Sequence, residues 1–142
     1  MESNKFKTEL PTRWSDVDSN QHVRHSVYLD LCASARMNWL EAVGFPAPRL
    51  VKMGLGPILF REEVFYEKEL FLGESVNIEI TITKLSESGH KFSIEHQLFN
   101  VKGTRVARLY VDGAWFNVKE RAVSPPGTEL LAVMNSIHQP SS

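Results

Sequence analysis

One cysteine, Cys32, is all that this chain of 142 residues carries. A lone thiol excludes an intramolecular disulfide and a zinc site built on paired thiolates. Neither sign of charge is in excess: Lys and Arg number 16 against 17 Asp and Glu, for a net charge of −1. That balance argues against a broad electrostatic grip on nucleic acid or an anionic membrane, while leaving room for a local basic pocket around one phosphate group. Long apolar runs are missing too. Nothing approaches the ~18 uninterrupted residues of a membrane span, and the first five residues, Met1 to Lys5, hold no apolar signal-peptide core. Neither an internal repeat nor a low-complexity tract is present. The expectation is a cytoplasmic chain with no nucleic-acid and no membrane partner.

What is present is ordinary globular composition, 42% hydrophobic and 23% charged, at the length of one domain with a sizeable core. Phe6, Thr8, Leu10, Thr12 and Trp14 occupy every second position, which predicts a first strand over residues 5–14, and Pro11 would place it at a sheet edge. Tyr28, Leu31, Cys32, Ala35, Trp39 and Ala42 then recur at three- and four-residue spacing and predict one helix of about sixteen residues. Ser26 suits its N-cap; Gly44 and Pro46 suit its end. Residues 46–57 are rich in proline and glycine and read as a connection. Beyond it the period becomes two. Strands are expected over 58–66, from Val76 to Thr83 with four aliphatic residues on one face, over 91–98, and over 104–118. Gly113, inside the last of these, predicts a bulge or a close backbone approach.

Strand, long helix and four closely linked strands make an α+β chain: one antiparallel sheet of about five strands wrapped around one central helix. Residues 1–123 form the expected domain, and 124–142 a C-terminal tail containing a short helix with Leu130, Leu131, Met134 and Ile137 on one side. Self-association, as a homodimer or a dimer of dimers, would cover the sheet's free face and edges.

The chemistry is concentrated between the first strand and the helix. From Asp16 to His25 the chain packs Asp16, Asp18, Asn20, His22 and His25, followed by Tyr28 on the first helical turns. The pattern Asp-x-Asp-x-x-x-His-Val-x-x-x-x-Tyr before a long helix resembles the 4-hydroxybenzoyl-CoA thioesterase branch of the hot-dog fold. That resemblance covers nearly the whole chain up to about Val123. It implies a thioester hydrolase of the acyl-CoA kind, serving fatty-acid metabolism, that needs no cofactor and no metal. Asp18 matches the family's catalytic aspartate. His25 matches a histidine of the Tol-Pal-associated acyl-CoA thioesterases, at the point where a backbone N–H polarises the thioester carbonyl. Tyr28 matches the motif tyrosine and is assigned to substrate binding. Asp18-Ser19-Asn20-Gln21-His22-Val23 also resembles the Asp-x-Asn-Gln-His-Val motif of acyl-ACP thioesterases, which makes Asn20 and His22 catalytic candidates. Gln21 stands where many members have glycine, and Arg24-His25 where many have Asn-Asn. The second repeat and the cysteine of the acyl-ACP enzymes are missing, which points to the single-domain, acyl-CoA branch.

Each residue also has a plainer reading. Asp18 can attack the carbonyl or take a proton from water, and it can equally be a loop-capping carboxylate. His22 can donate to the carbonyl or orient water, or be a satisfied core histidine; Asn20 can be a turn former. Arg24 can bind a substrate phosphate or be solvated. His96 fits a buried, hydrogen-bonded histidine, and Cys32 a packing role. The Arg61-Glu62-Glu63 and Glu67-Lys68-Glu69 clusters read as solvated edges or a negative pocket wall, with Glu63 a candidate helper across a dimer interface. Two rival functions share the fold. In an enoyl-thioester hydratase the histidine follows the aspartate by five residues, where His22 follows Asp18 by four; a non-catalytic acyl-thioester binder would not use Asp18 at all.

Overall fold

The structure, a computed structural model, describes residues 4–13, 18–19, 22–71 and 73–140. Its elements run β1 (Phe6–Pro11), α1 (His25–Ala42), α2 (Ala47–Met53), β2 (Leu55–Tyr66), β3 (Ser75–Leu85), β4 (Lys91–Phe99), β5 (Arg105–Asn117), β6 (Ala122–Val123) and α3 (Thr128–Ser136). The strands form one antiparallel sheet in the order β1-β3-β4-β5-β2, with the short β6 paired to β5. The fold is therefore α+β, a sheet curled about α1.

Alternation decides which face is core. On β3, Val76, Ile78, Ile80 and Ile82 are fully buried, and β4 and β5 add Ile94, Leu98, Leu109 and Val111. Against them α1 lays Val27, Tyr28, Leu31, Cys32, Ala35, Trp39 and Leu40. Ala42, expected on that stripe, is exposed, and Leu40 takes its place. The helix also starts two residues earlier than a Ser26 cap would allow. Arg24 is the N-cap, with extended backbone and no side-chain hydrogen bond. The C-terminal end closes as a Schellman motif: the Phe45 N–H donates to the Leu40 carbonyl at 2.7 Å, the Gly44 N–H to Glu41 at 3.2 Å, and Gly44 holds φ +94°. Phe45 then drops into the core.

β1 lies at an edge, where Pro11 can lack an N–H without breaking a ladder. It covers β3 only as far as Ile80. Beyond that point the C-terminal segment takes over: the Ile82 N–H donates to the Ile137 carbonyl and the Gln139 N–H to the Ile82 carbonyl, both at 2.8 Å. Leu130, Met134 and Ile137 sit in the same core cluster as the sheet. Gly113 meets a close backbone approach. A Cβ there would stand 2.5 Å from the Ile58 carbonyl oxygen, beside a register shift in β2 between Leu59 and Arg61. Helix α2 was not expected from its prolines. Pro46 is its N-cap and Pro48 lies in its first turn, where no N–H is required.

Candidate active site

The loop before α1 closes on itself. The Asp18 N–H donates to the His22 carbonyl at 2.8 Å, and the His22 N–H donates back to Asp18 Oδ1 at 3.1 Å. The Val23 N–H then donates to the Leu70 carbonyl at 2.8 Å, and His22 bridges to Phe71, so the loop is tied to the segment that follows β2. These two stretches form the walls of a cavity of about 460 Å³.

Asp18, His22, Arg24, His25 and Tyr28 all line it. Asn20 lies outside the described residues. The opposite wall is Tyr66, Glu67, Lys68, Glu69 and Leu70. The Tyr66 ring stacks on His25 with centroids 4.3 Å apart, and its hydroxyl donates to the His25 carbonyl at 3.3 Å. Tyr28 meets Tyr66 edge-on at 5.1 Å. Burial, and then the neighbouring Tyr66, push the Tyr28 hydroxyl up to about 12, so it stays a neutral phenol. The His22 ring sits edge-on to Phe71 and brings Nε2 within 3.4 Å of a Glu69 carboxylate oxygen. Glu67 is gripped by Arg105 at 2.8 Å and Arg108 at 3.0 Å, and those guanidiniums hold its carboxyl below the usual range.

At the floor stands the start of α1. Its first N–H groups have no acceptor four residues back, and they carry the positive end of the helix dipole. The Val27 N–H turns back to the Arg24 carbonyl at 3.0 Å. A carboxylate, two imidazoles and a helix N-terminus therefore share one open cavity. Tyr66 and Leu70 in that wall are what sequence reasoning did not assign to the site, while Glu67-Lys68-Glu69 had both a solvated-edge and a pocket-wall reading. The wall's only signal was the charged cluster, and nothing in a linear pattern brings residues 66–70 to a loop more than forty positions away.

Other candidates are placed elsewhere. Glu63 does not line the cavity; it pairs with Arg61 at 3.0 Å. Cys32 is fully buried on α1, and burial pushes its thiol up to about 12, the state of a packing residue rather than a nucleophile. His96 is fully buried. Its Nδ1–H donates to the Leu109 carbonyl at 3.0 Å, which leaves Nε2 to accept from Arg36 Nη1 at 3.0 Å. Among the described residues no three His, Cys, Asp or Glu side chains gather as a metal site, and no helix is long and apolar enough to cross a membrane.

The chain is similar to several known proteins. It is 30% identical over 78 residues to a protein of Aquifex aeolicus (strain VF5) described as a candidate esterase; the match takes in 55% of this chain and 61% of that relative's length. A 1,4-dihydroxy-2-naphthoyl-CoA thioesterase from Synechocystis superposes with a TM-score of 0.82 at 18% identity, over 92% of this chain and 96% of that one. A hypothetical protein from Staphylococcus aureus, solved in complex with CoA, gives a TM-score of 0.85 at 16% identity, over 100% of this chain and 90% of its own. At such identities the likeness carries the fold, and that fold is the hot-dog. The profile of the thioesterase-like superfamily matches residues 12–134, from the end of β1 into α3. By that match the chain belongs to the thioesterase-like superfamily.

Proposed function

We propose that the protein hydrolyses an acyl-CoA thioester at the cavity before α1. The observation that carries this reading is the placement of Asp18 and the start of α1 in the lining of one cavity, in a chain of this superfamily. Thioester hydrolysis needs an oxygen that can attack or activate water, and donors for the carbonyl oxygen as it gains charge. Asp18 provides the first. The N–H groups of His25 and Ser26, at the positive end of the helix, provide the second. Asp18 either adds to the carbonyl itself, with water opening the resulting anhydride, or removes a proton from the attacking water. Both routes end with the water's OH on the acyl carbon and its proton on the departing sulfur.

The remaining residues position these two. His22, held between Phe71 and Glu69, stands beside the carbonyl site as donor or water orienter, with Asn20 two positions before it in sequence. Tyr28 and Tyr66 wall the acyl entrance. Arg24 and Lys68, both exposed on the lining, suit the phosphates of CoA. The long edge strand β2 exposes Leu59, Phe60, Phe65 and Tyr66, and a second copy docking there would give a homodimer or the unit of a dimer of dimers. The proposed setting is cytoplasmic, and no cofactor enters the chemistry.

One observation favours a binder without turnover: the Asp18 carboxylate accepts the His22 N–H, as a purely structural loop aspartate would. Asp18→Asn separates the two readings. The asparagine keeps a carbonyl oxygen for that N–H, so the loop survives, but it cannot act as nucleophile or base. Loss of hydrolysis across a panel of acyl-CoAs, read by free-thiol release, supports catalysis; a folded Asp18→Asn enzyme with wild-type kcat rejects it. Acyl-ACP in the same panel identifies the carrier.

A further inference from the structure

A second cavity, of about 210 Å³, opens at the middle of α1, between the helix and strands β2, β4 and β5. Its lining is apolar (Trp39, Leu40, Leu59, Phe92, Ile94 and Trp115 among others) with one charged side chain in it, Arg36. Two features are out of balance with those surroundings. Arg36 is half-buried and has no carboxylate within ion-pair distance among the described residues; Glu62 acts on it only at longer range. Its hydrogen bond goes to His96 Nε2, and burial pushes that imidazole down to about 3, so the partner is neutral. Nearby, the Trp39 indole Nε1 is buried with no hydrogen-bond partner among the described residues. A cation without a counter-ion and a donor without an acceptor are both costly in an apolar setting.

We propose that this cavity receives the far end of the acyl group, and that this end carries a carboxylate. A carboxylate brings the missing negative charge and only acceptor atoms, and the guanidinium fork can take both of its oxygens. A methyl end would leave the guanidinium without a counter-ion and the indole N–H without an acceptor, and a hydroxyl end would add a donor to a lining that already has too many. The volume suits the tail, since an apolar cavity of about 150 Å³ already holds a benzene ring. Tyr28, on the first cavity, precedes Arg36 by eight residues, or about 12 Å along the helix axis. The chain between thioester and carboxylate is therefore of medium length. The thioester end of this proposal rests on the hydrolase reading; the carboxylate site does not.

Calorimetric titration of the full chain with decanoate and with decanol tests the site directly. Decanoate is expected to bind at least about ten-fold tighter than decanol, the worth of a charge-assisted hydrogen bond. That margin should collapse in Arg36→Met and shrink in Trp39→Phe, which removes the N–H and little else. Equal binding of the two probes by the wild-type chain overturns the proposal, whether or not Arg36→Met folds. In hydrolysis, adipyl-, suberyl- and sebacyl-CoA are set against hexanoyl-, octanoyl- and decanoyl-CoA, and one ω-carboxy substrate should lead its uncharged counterpart in kcat/KM. Turnover of all six with no such lead, and no Arg36-dependent binding of decanoate, overturns the carboxylate site and leaves the hydrolase. No turnover of any, with decanoate still held through Arg36, does the reverse. Sedimentation showing that Arg36→Met splits a dimer, with no decanoate preference in the wild type, assigns the arginine to a subunit contact and also overturns the proposal.

Discussion

The start and the middle of the same helix surface are chemically opposite. At its start, α1 meets an open cavity walled by Asp18, His22, His25 and Glu69, with charged groups that reach water. Two turns further on, a thiol and an imidazole are held neutral by burial: Cys32 is pushed up to about 12 and His96 down to about 3. The residue types overlap, since both regions hold a histidine, yet the His22 ring lines the open cavity and the His96 ring is fully buried. Access to water, more than the identity of the side chain, separates a site from a core.

The comparison can be broken most sharply at the open end. Asp18→Asn should lower kcat by about 10²–10⁴-fold, the usual range for removing a general acid or base, with the melting temperature unchanged. At the closed end the effects are on stability. Leu130→Ala, in the segment expected to lie outside the domain, should cost about 2–5 kcal/mol in urea denaturation, because the side chain is fully buried in the sheet's own core. A surface tail would give a value near zero.

His96 adds a pH dependence of definite sign. Burial, reinforced by Arg36, holds its folded pKa at about 3 against an ordinary 6.5. Between those values the unfolded chain binds the proton and the folded chain does not. Stability is therefore full above pH 6.5 and falls as the pH drops from 6.5 toward 3. Denaturation midpoints at pH 7 and pH 4.5 should differ by less in His96→Gln than in the wild type. The smallest effect is expected at the helix start, where Ser26→Ala should change stability by less than about 0.5 kcal/mol, since the cap is Arg24 and no side chain serves it.

Most of the sheet was legible because burial on one face writes itself as alternation: Val76 to Ile82 names β3 and its inward face together. The helix was legible for the same reason, and Gly44 marked its end. Its exact start was not, because a serine near a helix N-terminus has the same sequence whether or not it caps. Helix α2 was hidden by Pro46 and Pro48, which look like breakers until the first turn is seen to need no N–H. Half of the site was legible in Asp18, His22, His25 and Tyr28, where local spacing carries the motif. Tyr66 to Leu70 were less so, because the pairing of β2 with β5 and long-range contacts such as the Val23–Leu70 hydrogen bond, not local spacing, carry them to the loop.

The sheet's two outer strands have unequal capacity for growth. β1 is six residues long, ends in proline and carries Lys7, and the chain's own C-terminal segment occupies the stretch of β3 it leaves uncovered. β2 is twelve residues long and has no proline from Arg61 to Tyr66. A protein with one adhesive side and one blunt side behaves as a chain terminator for its own assembly. Were a second copy to add at β2, it would consume the adhesive side of both molecules, and association through sheet edges would stop at a pair instead of running on into a fibre.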